Sequence, residues 1–397
     1  VIAAADDAGE EARVDFDLSQ EQRMIQQAVR EFAEKAIAPQ ARHVDESGEF
    51  PADTFRKMGE LGLMGLPFPE AYGGAGADSV SAAIAIAEVA RACGSTALAY
   101  AAHMGLGSAP IALFGNEEQK QRFLKPAAEG KYMAAFGLTE PHAGSDAGAT
   151  RTTARLDGDE WVINGAKMWI TNAPVAGHII ITAQTEQDTG KSGISSIIVP
   201  GGTPGMTFGK HEPKMGLRGS LSTAIMFEDV RVPRANLLGE RGRGFIQFLQ
   251  VLDGGRIGIG AMAVGLAQAA FEAASAYAKE RVAFGKPIGA FESISNMIAD
   301  MSTSIEAARL LVYQAAWLRD QGRPFSKQAA IAKLFASETA ENTCRNAIQI
   351  FGGYGYSQEF PVERIYRDQR LLTIGEGTSE ILRVVIGRHE LGGFVGT

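Results

Sequence analysis

Cysteine and histidine are sparse in this chain, and their spacing rules out several chemistries. Cys93 and Cys344 are the two cysteines among 397 residues, and neither stands in a C-x-x-C or C-x-H pattern. That supplies no disulfide framework and fits a reducing compartment. The six histidines (His43, His103, His142, His178, His211, His389) form no H-x-x-x-H and no E-x-x-H pair, so no zinc or di-iron centre is legible and no metal is expected. Positive charge is short as well. Thirty-eight Lys and Arg against 46 Asp and Glu leave a net charge of -8, which disfavours nonspecific attraction to nucleic acid or an anionic membrane. The uncharged stretch Ile257 to Phe271 is too short and too rich in Gly and Ala to span a bilayer. Val1 to Ala12 is small and acidic, unlike a secretory or mitochondrial leader, and residues 1–16 read as a flexible tail on a cytoplasmic protein. There is no G-x-G-x-x-G between strand and helix and no G-x-x-x-x-G-K-[ST]. Gly353-Tyr354-Gly355 lacks the third glycine and ends a helix, so any nucleotide cofactor is held without a Rossmann fold or P-loop.

What is present falls into three regimes, an α+β multidomain pattern. A hydrophobic fraction of 45% and 397 residues suffice for a large core. Over 17–131 apolar residues recur at helical spacing, and Ser19 with Gln22 forms a capping-box pattern. Helices are expected over 21–36, 52–61, 79–92, 96–114 and 116–124. Over 132–241 the pattern becomes Thr, Val and Ile runs broken by Asp157-Gly158, Asn164-Gly165 and Gly201-Gly202. Strands are expected over 152–156, 161–164, 167–171, 178–184, 195–199 and 224–227. Asn164-Gly165 reads as a hairpin turn, and the strands together as a small β-barrel or sandwich. Over 242–397 the chain is helical again. One long helix covers 256–281. A heptad seam of Ile294, Ile298, Met301, Ile305, Ala308, Val312 and Ala315 marks the next, and 326–351, 361–372 and 379–391 complete a bundle.

Three segments stand out as chemistry. Ile374-Gly375-Glu376-Gly377-Thr378-Ser379-Glu380 holds one carboxylate among small residues before a helix start, a place for a base against a flat cofactor. Phe136 to Ala149 puts Thr139, Ser145 and small residues at a strand end, where backbone N–H groups can approach a ligand. Trp169 and Thr171 lie two apart, on one face of a strand, and an indole beside hydroxyls suits a heteroaromatic ring. Alternatively, Trp169 is a core residue and the hydroxyls belong to turns. Gln349 to Asp368 reads as a helix C-cap followed by a charged helix, and Arg281 either meets a phosphate or complements a helix dipole.

Gly137-Leu138-Thr139-Glu140-x-x-Ala143-Gly144-Ser145-Asp146 resembles the first signature of the acyl-CoA dehydrogenase family. Gln349-x-x-Gly352-Gly353-x-Gly355-Tyr356-x-x-Glu359-x4-Arg364-x3-Asp368 resembles the second. Trp161 to Asn172, Glu280-Arg281-x-x-Phe284-Gly285 and Glu376-Gly377-Thr378-Ser379-Glu380 extend the likeness, which runs from about Val14 to the end. Leu252-Asp253-x-Gly255-Arg256-Ile257-Gly258-Ile259 is most similar to short-chain, butyryl-type members, while Ile374-Gly375 and Ile386-Gly387-Arg388 are similar to branched-chain ones.

The resemblance implies an N-terminal α-helical domain, a central β-domain and a C-terminal four-helix bundle. It implies FAD, with Phe136, Leu138, Thr139, Trp169 and Thr171 at the isoalloxazine and Gly144, Ser145 and Ile170 also binding the cofactor. Arg281, Phe284, Gln349, Gly352 and Gly353 would come from a neighbouring subunit to the pyrophosphate and adenine. Thr378, Ser379 and Glu380 would lie near the adenosine-side phosphates. Position 292, commonly Gln in the family, is Glu292 here. The implied reaction is α,β-dehydrogenation of a short, medium or branched acyl-CoA to trans-2-enoyl-CoA, as in β-oxidation. Glu376 is the base for the pro-R α-proton and flavin N5 takes the β-hydride. Some members carry the base on the long helix at the position of Gly255, and its lack of a carboxylate favours Glu376. Ser145, Asp253, Arg256 and Gly377 would contact substrate. The implied partners are an electron-transferring flavoprotein and further copies of the chain in a homotetramer, a dimer of dimers. A DNA-associated flavoprotein or a monooxygenase on the same fold are the alternatives. Negative net charge speaks against the first, and an intact Glu376 against both.

Overall fold

The computed structural model describes residues 16–186 and 189–392; most of the expected N-terminal tail lies outside the described residues. The first region is helical: α1 (Gln20–Phe32), α2 (Ala41–Ser47), α3 (Ala52–Glu60), α4 (Ser79–Ala92), α5 (Gly94–Ala101), α6 (Ala109–Phe114), α7 (Glu117–Gln119) and α8 (Lys125–Ala128). The capping box is present, with the Ser19 hydroxyl accepting from the Gln22 N–H and the Gln22 side chain from the Ser19 N–H. Wide π-helical turns at Ala33–Ile37, Ala102–Ser108 and Lys120–Leu124 interrupt what the sequence presents as continuous helices.

The middle region is one mixed eight-stranded sheet: β1 (Met133–Gly137), β2 (Thr153–Asp157), β3 (Glu160–Thr171), β4 (Ala176–Gln184), β5 (Ile194–Pro200), β6 (Met206–Phe208), β7 (Ser222–Pro233) and β8 (Leu237–Leu238). The hydrogen-bonded path runs β6-β7-β3-β2-β4-β5-β8, with β1 parallel to β4. Side chains from β1 to β7, among them Trp161, Ile163, Ile181, Val199, Met206 and Phe227, meet in one core, so the sheet curls around it.

One strand assignment needs correction. The hairpin joining β2 to β3 turns at Gly158, while Asn164-Gly165 is a bulge inside the continuous strand β3. Gly165 has φ +144°, and a Cβ there would stand 2.7 Å from Thr152 Cα. Across the ladder Asn164 exchanges two hydrogen bonds with Asp229, itself at φ +48°. A side-chain pair, rather than a turn, has used the Asn-Gly dipeptide.

The last region holds α9 (Gly244–Glu280), a short β9–β10 ribbon (Val282–Ala283, Lys286–Pro287), α10 (Glu292–Asp320), α11 (Ser326–Phe351), α12 (Val362–Gln369) and α13 (Ser379–Glu390). Met301, Ile305, Ala308, Val312 and Ala315 are buried along the seam of α10, and its first residues Ile294 and Ile298 are half-buried. α9 begins twelve residues before the expected 256, carrying Gly254 and Gly255 through its body. Among the described residues, Gly94–Phe114 and Gly244–Glu280 are long and apolar enough to cross a membrane; both are mostly buried in the protein.

Candidate active site

Glu376 lies on the turn that leads into α13. It holds φ +54° and Gly377 holds φ +99°. A left-handed backbone costs a non-glycine residue about 1–2 kcal/mol, and such outliers concentrate where geometry serves function. The residue is partly accessible, yet its Oε2 is sealed from solvent and has no hydrogen-bond partner. Burial pushes the carboxyl up to about 7, with Lys333 and then Arg256 pulling it back. Among the described residues, no group accepts a hydrogen bond from the Glu376 N–H.

The long helix makes room for this carboxylate. A Cβ on Gly255 would stand 2.1 Å from Glu376 Oε2 and 3.3 Å from Leu106 Cδ2. Leu106 belongs to the π-helical turn Ala102–Ser108, a distortion common at functional sites. The next residue, Arg256, is buried. Its Nη1 donates to Asp253 Oδ1 at 2.6 Å, which also accepts from Ser326 Oγ at 2.9 Å. Burial raises the Asp253 carboxyl, and Arg256 Nε has no partner. From α11, buried Lys333 donates to the Gly377 carbonyl at 2.7 Å. Thr378 caps α13, its hydroxyl accepting from the Ile381 N–H at 3.3 Å. Ser379 Oγ is buried without a partner, while Glu380 is exposed.

A second group surrounds the exit of β1. Phe136, Leu138, Thr139 and Thr171 are half-buried, Ile170 is core, and Gly144 and Ser145 are exposed. Trp169 is 55% exposed at φ +62°, on a bulge that shifts register between Lys167 and Ile170. An indole turned outward on a strained backbone is not a core residue. Behind it lies a buried pair that the sequence reading passed over. Lys167 Nζ donates to Glu140 Oε1 at 2.8 Å, Leu138 O at 3.1 Å and Thr182 Oγ1 at 3.1 Å. Glu140 in turn accepts from the Arg151 and Thr152 N–H groups. This network fixes Leu138–Glu140 against the strand that carries Trp169.

A third group lies at the end of α9. Arg281, Gly352 and Gly353 line a groove of about 560 Å³ with Tyr277, Ile288 and Tyr354. A Cβ on Gly352 or Gly353 would meet nothing within 4 Å. The Arg281 guanidinium lies 5.7 Å from the Tyr354 ring centroid. Phe284 is 95% exposed, and Gln349 and Glu292 face solvent. The residues lining this groove include neither Glu376 nor Trp169.

Two residues of this machinery were findable in the sequence. Lys333 occupies a core position in the small-residue stripe Ala329, Ala336, Ala340 of α11, and Lys167 sits between buried Ile163 and Ile170. A cation on an apolar face is the signal.

Three family models match in series: the acyl-CoA dehydrogenase N-terminal domain over 19–131, the middle domain over 135–230 and the C-terminal domain over 242–391. The probable acyl-CoA dehydrogenase YngJ of Bacillus subtilis is 58% identical over 379 residues, which are 95% of this chain and 100% of that protein. Butyryl-CoA dehydrogenase of Megasphaera elsdenii superposes with a TM-score of 0.94 at 43% identity, covering 95% of this chain and 100% of that one. Acyl-CoA dehydrogenase of Bacillus anthracis in complex with FAD gives 0.90 at 37%, covering 95% of this chain and 68% of that one. With its helical, sheet and helical regions in this order and a glycine-flanked carboxylate in the last, the chain belongs to the acyl-CoA dehydrogenase family of oxidoreductases.

Proposed function

We propose that the protein catalyses α,β-dehydrogenation of a short-chain acyl-CoA to the trans-2-enoyl-CoA, with Glu376 as the base. The observation that carries this reading is Glu376 Oε2: buried, unpartnered and facing a helix stripped to glycine at Gly255. A base must present a free lone pair, whereas the structural carboxylate Glu140 has both oxygens bonded.

The residues present fit FAD. Trp169 offers an exposed indole beside the Leu138–Thr139 strip. The groove at Arg281 and Gly353 leaves backbone and guanidinium open to an anionic chain. FAD, when bound, supplies the acceptor for the β-hydride. Phe136, Leu138, Thr139, Ile170 and Thr171 would hold its ring system, with the exposed Gly144 and Ser145 also contributing. Thr378, Ser379 and Glu380 flank the start of α13, where N–H groups favour phosphate.

The chain's own chemistry concerns the proton. Glu376 takes the α-proton of the thioester. Its uncommitted backbone N–H points to the role of donor to the thioester oxygen, which gathers negative charge as that proton leaves. Gly377 removes side-chain bulk beside that oxygen. Asp253 and Arg256 bind the acyl-CoA from α9. A free-enzyme value of about 7 matches a base working near neutral pH. Arg281, Phe284, Gln349 and Gly353 serve the FAD of a second subunit, with Glu292 at the rim, in a dimer that pairs into a tetramer. Electrons leave to an electron-transferring flavoprotein.

The test is anaerobic flavin bleaching across acyl-CoAs from butyryl to palmitoyl, including isovaleryl and isobutyryl. Butyryl-CoA should bleach fastest. Glu376→Gln should keep FAD and lose bleaching by at least about a hundredfold. A near-normal rate in that variant removes Glu376 from the role.

A further inference from the structure

The turn that carries Glu376 is anchored from an element outside the motif. Lys333 projects from the middle of α11 and is fully buried, and its ammonium gives a 2.7 Å hydrogen bond to the carbonyl of Gly377. Among the described residues Lys333 and Glu376 form no ion pair within 4.0 Å, although Glu376 exerts the strongest favourable charge on Lys333. Arg256 is similarly placed, near Glu376 but bonded to Asp253.

We propose that Lys333 is a positioning residue for Glu376: bound to the Gly377 carbonyl, it locks the left-handed turn and keeps a positive charge close to the carboxylate without bonding to it. This rests on Glu376 being the base. The physical need is specific. A buried carboxylate with no countercharge takes up a proton and is no base. A carboxylate in a direct salt bridge is ionised, but its lone pairs are occupied and its basicity falls. A cation tethered to a neighbouring carbonyl avoids both outcomes. The tether also satisfies the ammonium in a site that would otherwise strip it of water.

The charged groups around the pair come from the turn, α9, α11 and α13. Lys333 is faced by Glu376 from the turn, Arg256 from α9, Glu380 from α13 and Glu338 from its own helix. Glu376 is faced by Lys333 and Arg256. Lys333 itself is lowered to about 8 by burial, so it carries its charge at neutral pH.

The experiment is an infrared pH titration of the FAD-loaded protein, following the carboxyl band that Glu376→Gln removes. It reads Glu376 without turnover. Lys333→Met should raise the midpoint by about one pH unit or more, and Lys333→Arg should leave it within a few tenths of wild type. Bleaching by butyryl-CoA, measured about one pH unit below the wild-type midpoint, should slow roughly tenfold in Lys333→Met and recover in Lys333→Arg. If Lys333→Met does not fold, Lys333→Gln, an uncharged donor, must still raise the midpoint. An unmoved midpoint in the uncharged variants, or equal shifts in the Met and Arg variants, overturns the proposal. A wild-type flavin that no acyl-CoA bleaches would defeat the dehydrogenase reading instead, and the infrared midpoints would still decide the role of Lys333.

Discussion

At the scale of single residues, the site is a carboxylate held against its own solvation preference. Its proton affinity is raised in the fold, so the folded state binds more protons than the unfolded chain between about 4.5 and about 7. Stability therefore falls as pH rises through that window. Below it both states are protonated, and above it the folded protein carries an unpaired buried anion. Glu376→Gln should raise the melting temperature at pH 8, by the equivalent of about 3 kcal/mol, and the gain should vanish below about pH 5. Calorimetry of the FAD-loaded proteins across pH checks both limbs; a pH-independent difference would mean that the carboxyl is not buried as charge. The second-order rate constant for flavin bleaching should rise with pH through about 7 in wild type, as the same group ionises. Glu376 was legible in the sequence because glycine flanks it and a helix cap follows. That Lys333 and Arg256 tune it was not, because they lie 43 and 120 positions upstream in sequence numbering and meet it only in the folded chain.

At the scale of elements, glycine in a helix marks what the helix approaches. Gly254 and Gly255 read as a helix boundary because each costs about 1 kcal/mol relative to alanine. Tertiary packing overrides that propensity and α9 runs through them. The reason lies across the helix, where Gly255 clears space for Glu376 Oε2 and Gly254 for the Arg319 guanidinium. Gly255→Ala separates the two effects. The methyl favours the helix but meets the carboxylate at 2.1 Å, so the side chain or the turn must move. FAD content should hold, and bleaching by butyryl-CoA should fall at least about tenfold, since small misplacements of a base are costly. Stopped-flow absorbance of the flavin measures it, and an unchanged rate would show that the carboxylate reaches substrate from elsewhere. The same override explains the Asn164-Gly165 bulge, where partner Asp229 is 65 residues away, beyond any local pattern. The helix of 326–351, by contrast, was readable to the residue, because an apolar stripe runs its whole length and Gly352-Gly353 closes it.

At the scale of the whole molecule, the exposed aromatic residues around the β9–β10 ribbon and the end of α11 suit the proposed dimer. Phe284 is 95% exposed at φ +52°, Val282 two positions before it is 57% exposed, and Tyr356 is 90% exposed. Exposed large apolar side chains near the groove that Arg281 lines fit an interface that also holds a ligand. In the proposed dimer, FAD bridges the Trp169 side of one subunit and the Arg281 side of its partner. Cofactor retention and association are then linked, and each stabilises the other. FAD released on serial dilution should appear over the same concentration range as dissociation of the dimer. Arg281→Ala removes a charge-assisted contact to the pyrophosphate worth about 1.5–3 kcal/mol, so the release curve should move to roughly ten- to hundredfold higher protein concentration. Flavin fluorescence in ultrafiltrates, paired with light scattering on the same samples, measures both events. Retention in Arg281→Ala indistinguishable from wild type would place the pyrophosphate away from this groove. Release of FAD from a dimer that stays intact would show that the partner subunit does not complete the site.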